Sequence, residues 1–303
     1  SVGRDPNNLQ AGDEESMRQV LGAGISDLLS ARCSPRRCWR SSHIARERNR
    51  RADVSVTRII YCHGLPGSPE ELSAFETLAP VSHIHALDRL GHHSGEYEKS
   101  VLGAFDRMGV DEPVTLAGFS LGAMSALHIA AERGALIRKL ILISPAAPLE
   151  LGDFLPSMAG RPVFEAAQAG DWSLRLFTAA QASLFGLAPQ LALKTMFRAS
   201  PDADLALLSS MRFVDVVLQG LRTCLGRRQA AYRNELRAYV RPWAHILDRV
   251  LCETEIWSGA SDDWTPIAMG KALKARLGDG AVLHVCPGLG HYSTLCRALS
   301  QLG

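Results

Sequence analysis

The chain has 303 residues, a hydrophobic content of 47% and a formal net charge of +2. That apolar share supplies a sizeable core, and the length fits one large domain carrying an insertion. A charge so near neutral excludes a dedicated nucleic-acid binder, and no apolar run reaches the ~18 residues that a membrane-spanning helix requires.

Residues 1–52 differ from everything after them. Residues 4–15 are polar and lean acidic, and Met17, Val20, Leu21, Ile25, Leu28 and Leu29 fall at helical spacing, which predicts one amphipathic helix. A basic run from Arg32 to Arg51, opposed only by Glu47, follows. Such a run reads as a solvated, flexible extension. The apolar stretch precedes the basic one, the reverse of a signal peptide, so a cytoplasmic location is expected. The seven cysteines, Cys33, Cys38, Cys62, Cys224, Cys252, Cys286 and Cys296, are odd in number and scattered. They fit reduced thiols rather than a disulfide framework. Cys33 and Cys38 have no paired Cys or His set elsewhere, so no zinc site is expected.

From residue 55 the pattern alternates between strand and helix. Strands are predicted at 57–62, 82–87, 113–118, 138–144, 253–258 and 281–286, and helices at 69–79, 96–109, 120–133, 267–277 and 292–302. Alternation of this kind means a mostly parallel sheet with helices on both faces. The strands are apolar runs more than alternating ones, as doubly covered sheets require. Loops at the carboxyl ends of the strands would then carry the chemistry. His83 and His85, two apart on a predicted strand, share a face and are assigned structural roles. Residues 149–250 show no strand pattern. Phe164, Leu174, Leu176, Phe177, Leu184, Phe185, Leu205, Leu207, Leu208 and Met211 fall at helical spacing there and are assigned to helix–helix packing. The segment reads as a helical cap inserted into a core formed by residues 53–148 and 251–303.

Four segments carry chemistry. His63-Gly64-Leu65-Pro66-Gly67-Ser68 leaves the first strand, and a glycine-rich loop there can present backbone N–H groups to a developing negative charge. Gly118-Phe119-Ser120-Leu121-Gly122 joins a strand to a helix through a sharp turn with a serine at its apex. A turn that tight requires almost no side chain two positions either side of the serine. It also sets the hydroxyl beside unpaired N–H groups and the positive end of the helix dipole, which suits a nucleophile whose reaction builds an oxyanion. Asp262 and Asp263 sit in a turn after the strand that ends at Ile256-Trp257-Ser258-Gly259. An acid at such an end can hold an imidazole in one tautomer. His291 precedes the last helix, after Val285-Cys286-Pro287-Gly288-Leu289-Gly290. The chain order Ser120, Asp, His291 is the order that a serine hydrolase on an open α/β sheet requires. His92-His93, after Asp88-Arg89-Leu90-Gly91, has no further ligands converging on it and reads as a solvated loop near the cleft.

With His63-Gly64 and Pro66-Gly67, Asp88-Arg89 and Gly91, Gly118 to Gly122, Gly259 with Asp262 and Pro266, and Gly290-His291 in place, the chain resembles the α/β-hydrolase superfamily over residues 55–303. Arg241-Pro242-Trp243, ahead of the Asp262 turn, is similar to a subgroup of capped bacterial hydrolases. The family usually begins with additional strands before the His63 loop, and no convincing pair is visible here. The resemblance implies Ser120 as nucleophile, His291 as general base and Asp262 as the orienting acid, three residues after the glycine and four before the proline. It implies an oxyanion hole from the backbone N–H groups of Leu65 and Leu121. The reaction implied is acyl transfer through an acyl-enzyme, with a base titrating near the ordinary imidazole value of about 6.5 and no metal or organic cofactor. The substrate expected is a small, mostly apolar ester or related carbonyl compound. Carbon–carbon bond hydrolysis, thioesterase action and ligand sensing with little turnover remain alternatives. A serine nucleophile argues against dehalogenase and epoxide-hydrolase chemistry, which uses a carboxylate in this fold.

Overall fold

The computed structural model describes residues 58–76, 83–91 and 95–302, all within the unit Arg58–Gly303. The expectations for residues 1–52, for Cys33 and Cys38, for strands before the His63 loop and for His92-His93 lie outside the described residues.

Among the described residues six strands form one sheet: β1 Ile59–Cys62, β2 Ile84–Ala86, β3 Val114–Phe119, β4 Ile137–Ile143, β5 Glu253–Gly259 and β6 Ala281–Cys286. Every pairing is parallel, and the order across the sheet is β2-β1-β3-β4-β5-β6. All six predicted strands are present, shifted by at most two residues at either end. β1 and β3 are buried along their whole length because both faces are covered. β6 lies at one edge of the sheet, and there the apolar-run rule gives way: Val282 is 53% exposed and Val285 45%. The chain runs outward from β1 to β2, then crosses back to β3 on the other side of β1. Ligands of open α/β sheets bind where the order reverses in this way. In the parallel register Cys62 lies beside Gly118, so the loop that follows β1 and the turn that follows β3 leave the sheet side by side.

Helix α1 (Tyr97–Asp106) precedes β3, and α2 (Gly122–Glu132) follows it. The predicted helix at 69–79 is a 3₁₀ segment over Pro69–Phe75. Six helices lie between β4 and β5: α3 Arg161–Gln168, α4 Asp171–Leu187, α5 Pro189–Met196, α6 Asp202–Leu207, α7 Met211–Leu225 and α8 Gln229–Tyr239. Helices α9 (Ile267–Leu277) and α10 (His291–Leu299) follow β5 and β6. Among the described residues no single helix is long and apolar enough to cross a membrane.

The inserted helices bury Phe164, Leu174, Leu207 and Phe213 against the core, whereas Leu176, Leu184, Leu205 and Met211 are 66%, 47%, 38% and 72% exposed. Helical spacing places residues on one stripe, but which stripe is covered depends on the neighbouring helix, so these four do not serve the helix–helix packing assigned to them. The two histidines near β2 also diverge: His83 Nε2 lies 3.3 Å from the Leu302 carbonyl, and His85 on β2 is exposed.

One buried ion pair joins the insertion to the sheet. The Arg89 guanidinium, in the loop after β2, donates to both carboxylate oxygens of Glu235 on α8 at 2.8 to 3.1 Å, with side chains 0% and 2% exposed. Removing one partner of such a pair strands the other charge in an apolar setting. Glu235→Ala is therefore expected to destabilise the fold by about 3–5 kcal/mol, read by denaturant unfolding. A loss under about 1 kcal/mol would show that water reaches Arg89.

Candidate active site

Ser120 leaves β3 at φ +56, a left-handed conformation that costs a non-glycine residue of order 1–3 kcal/mol. Backbone bonds hold it there. Its N–H donates to the Ile143 carbonyl at 3.0 Å, and its carbonyl accepts from Ala123 and Ala146, both at 3.1 Å. The flanking glycines have a steric origin. A Cβ on Gly118 would stand 2.8 Å from the Cα of Ala123, and one on Gly122 would stand 2.2 Å from the Cys62 carbonyl oxygen. Both contacts are with backbone, which cannot step aside, so α2 can start this close to β1 only with glycine there. Among the described residues Ser120 Oγ makes no hydrogen bond within the protein.

His291 heads α10, and its Nδ1 lies 2.9 Å from Asp262 Oδ2; their side chains are 4% and 0% exposed. The other Asp262 oxygen accepts from the backbone N–H groups of Trp264 and Thr265, each at 2.9 Å. The Thr265 hydroxyl reaches both Asp262 Oδ2 (2.9 Å) and the Ser144 carbonyl (3.0 Å). Burial opposes charge on Asp262, but the facing His291 and these donors outweigh it and hold the carboxyl below its ordinary value. Burial likewise disfavours the His291 imidazolium, yet Asp262 prevails and raises its pKa above the ordinary 6.5. Asp263 is placed differently. Its Oδ1 meets only the Ser200 hydroxyl, at 3.4 Å, and its Oδ2 is buried without a partner. Burial, and then the charge of Asp262, push its pKa up. Of the two adjacent acids, only Asp262 bonds the histidine.

Ser120, His291 and Leu65 line one small cavity of about 10 Å³, together with Phe119, Trp264 and Met196. That is room for about one water molecule. Leu121, next to Ser120 at the start of α2, is not part of this wall, and Asp262 lies behind His291. Among the described residues the backbone N–H groups of Leu65 and Leu121 donate to no protein acceptor. The loop bearing Leu65 is held from beneath: Glu71 accepts from Gly64 N at 2.9 Å and from the Tyr61 hydroxyl at 2.7 Å. The His63 ring is fully buried with Nδ1 2.8 Å from the Gly64 carbonyl, so that nitrogen carries the proton. Burial, and then the Arg89 charge, hold His63 neutral, well below 6.5.

Glu71, Thr265 and Asp204 are the polar residues of this neighbourhood that sequence reasoning missed. Thr265 had a local signal, since an Asp that accepts from N–H groups two and three residues on is a common turn. Asp204, on α6, accepts from Tyr292 N and Ser293 N in the first turn of α10 and had none.

A model of the alpha/beta hydrolase family matches residues 22–299 of this chain. Similar solved structures include a thermophilic esterase from Thermogutta terrifontis, with a TM-score of 0.56 and 15% identity over 80% of this chain and 86% of that one. A bromoperoxidase from Bacillus anthracis has a TM-score of 0.55 and 15% identity over 80% and 88%. A hydrolase from Oleispira antarctica has 0.53 and 14% over 79% and 86%. At such identities the likeness is one of fold. No curated protein matches the chain.

Proposed function

The chain belongs to the alpha/beta hydrolase family, and from that premise we propose that it is a serine hydrolase acting through Ser120, His291 and Asp262 on a small, mostly apolar ester or related carbonyl compound. The observation that carries this reading is the buried 2.9 Å contact between Asp262 Oδ2 and His291 Nδ1, beside a serine held at φ +56 that opens on the same cavity as the histidine.

In the proposed reaction Asp262 keeps the proton on His291 Nδ1, which leaves Nε2 free to accept one. Ser120 Oγ attacks the substrate carbonyl and gives its proton to Nε2. The oxyanion takes hydrogen bonds from Leu65 N and Leu121 N, the second assisted by the dipole of α2. The imidazolium protonates the leaving group, and an acyl-serine remains. Water attacks it with the same histidine as base. Serine–histidine contacts of this kind are often loose before substrate binds. Residues 149–250 act as a cap in this reading. Met196, at the end of α5, walls the cavity that Ser120 lines, so the insertion borders the path to the serine. The lining carries no Lys, Arg, Asp or Glu, which favours uncharged acyl groups. The substrate is a small molecule, no cofactor is required, and a cytoplasmic location is retained as part of the proposal.

Labelling with a fluorophosphonate, followed by turnover assays on a panel of esters, tests the reading. Attachment at Ser120 with ester turnover supports it, and attachment at another residue removes it. Attachment at Ser120 with no turnover of esters, thioesters or carbon–carbon substrates would favour a sensing role.

The pH profile is a second check. A histidine base works only when neutral. The raised pKa of His291 means that kcat/KM should climb with pH through a midpoint above 6.5, not at the ordinary value expected from sequence. The measurement is kcat/KM for p-nitrophenyl acetate from pH 5 to 9. A flat profile, or a midpoint at or below 6.5, contradicts a base paired with Asp262.

A further inference from the structure

The Asp204 carboxylate is 0% exposed and belongs to the insertion, on α6, yet both of its oxygens are spent on α10. Oδ1 accepts from the backbone N–H of Ser293 at 2.8 Å and from the Ser293 hydroxyl, and Oδ2 accepts from the backbone N–H of Tyr292 at 3.1 Å. Gly290 N in turn donates to Ser293 Oγ at 2.8 Å. The residue at the cap position of α10 is Gly290, which has no side chain to cover the first-turn amides, and a carboxylate 88 residues away covers them instead. The fit is close. A Cβ on Gly290 would stand 2.6 Å from Pro201 and 2.8 Å from Asp204 Oδ2, so the start of α6 lies flush on the backbone that leads into His291.

We infer that Asp204 is a positioning residue for His291: it fixes the first turn of α10, and with it the imidazole that heads the helix, and it supplies a second negative charge beside the Asp262–His291 pair. The inserted helices thus align the base as well as covering the site. This rests on the proposed role of His291. The ionisable groups facing His291 are all acidic: Asp262 and Asp263 from the loop after β5, Asp204 from α6, and Glu71 from the 3₁₀ segment after β1. Asp262 bonds the ring and dominates, and Asp204 is the one acid among them that the insertion contributes.

The test uses the full chain and the second-order rate of Ser120 labelling by a fluorophosphonate between pH 5 and 9, which requires no knowledge of the substrate. Asp204→Asn removes the charge but keeps one capping oxygen for Ser293, its NH₂ replacing the oxygen that accepts from Tyr292 N. Its labelling rate at pH 8 should fall about tenfold, and the midpoint of the profile should move to lower pH. Asp204→Ala loses the cap too, and a misplaced imidazole should lower the rate by about a hundredfold. Ser293→Ala keeps the charge and both backbone bonds, so its midpoint should stay where it is, with a loss smaller than tenfold. If the Ala variant does not fold, the Asn and Ser293 variants decide. Lowered melting temperatures with unchanged rate and midpoint in Asp204→Asn would reduce Asp204 to a structural strut and overturn the inference. Failure of Ser120 to label in the unmodified protein would instead bring down the hydrolase reading, and the inference with it.

Discussion

Replacing Ser120 with alanine is expected to abolish fluorophosphonate labelling and to lower ester turnover by about 10⁶-fold, the loss typical of removing a triad nucleophile. The fold should survive. Alanine keeps the Cβ, so the strain at φ +56 is unchanged, and among the described residues Oγ supports no hydrogen bond that would be lost. The change in stability should stay within about 1 kcal/mol. The structure also provides a control. Ser144 follows the next strand, β4, and shares the unusual backbone, at φ +41. Its hydroxyl is occupied, donating to the His291 carbonyl at 3.2 Å. Ser144→Ala should therefore retain labelling at Ser120. Mass spectrometry of the labelled peptide separates the two, and a label on Ser144 would sink the nucleophile assignment.

Asp262→Asn should lower kcat by about 10³–10⁴-fold, as tautomer errors do in other triads. The structure dictates which way the amide must lie. Trp264 N and Thr265 N both donate to Oδ1 at 2.9 Å, so the oxygen of an asparagine must face them. Its NH₂ is then forced towards His291 Nδ1, 2.9 Å from the present Oδ2. A donor there makes Nδ1 an acceptor and moves the ring proton to Nε2, where it blocks proton transfer from Ser120. Asp263→Asn has no such consequence, because Oδ2 of Asp263 has no partner and Oδ1 meets only Ser200. Its cost should stay below about tenfold. Equal losses at the two positions, measured as kcat on one ester, would separate the activity from the Asp262–His291 pair.

Legibility followed the range over which each constraint acts. The turn at Ser120 was readable as a pattern of five residues, although only one of its two glycines has a local cause: a side chain at Gly118 would meet Ala123 and Ala126, whereas one at Gly122 would meet the end of β1. The strands were readable because a sheet covered on both faces demands apolar runs, and exposed valines among the described residues appear only on β6, at an edge of the sheet. The inserted helices were readable as helices, but Leu176, Leu184, Leu205 and Met211 were assigned to packing that the neighbouring helices do not supply.

By itself, the amino-acid sequence determined the elements, the family resemblance, and the serine and histidine that terminate a strand and open a helix. Each of these depends on local sterics and on periodicity that a short window contains. The tertiary structure supplied the contact behind the family spacing that had implied Asp262, whose carboxylate meets His291 29 residues along the chain. It alone brought Leu65 to the cavity that Ser120 lines, joined Arg89 to Glu235 across 146 residues, and brought Asp204 to cap the helix that carries the base. Such pairings require two distant segments to be packed against each other before a buried charge or an uncapped helix end can find its partner, and no local pattern records that partner in advance.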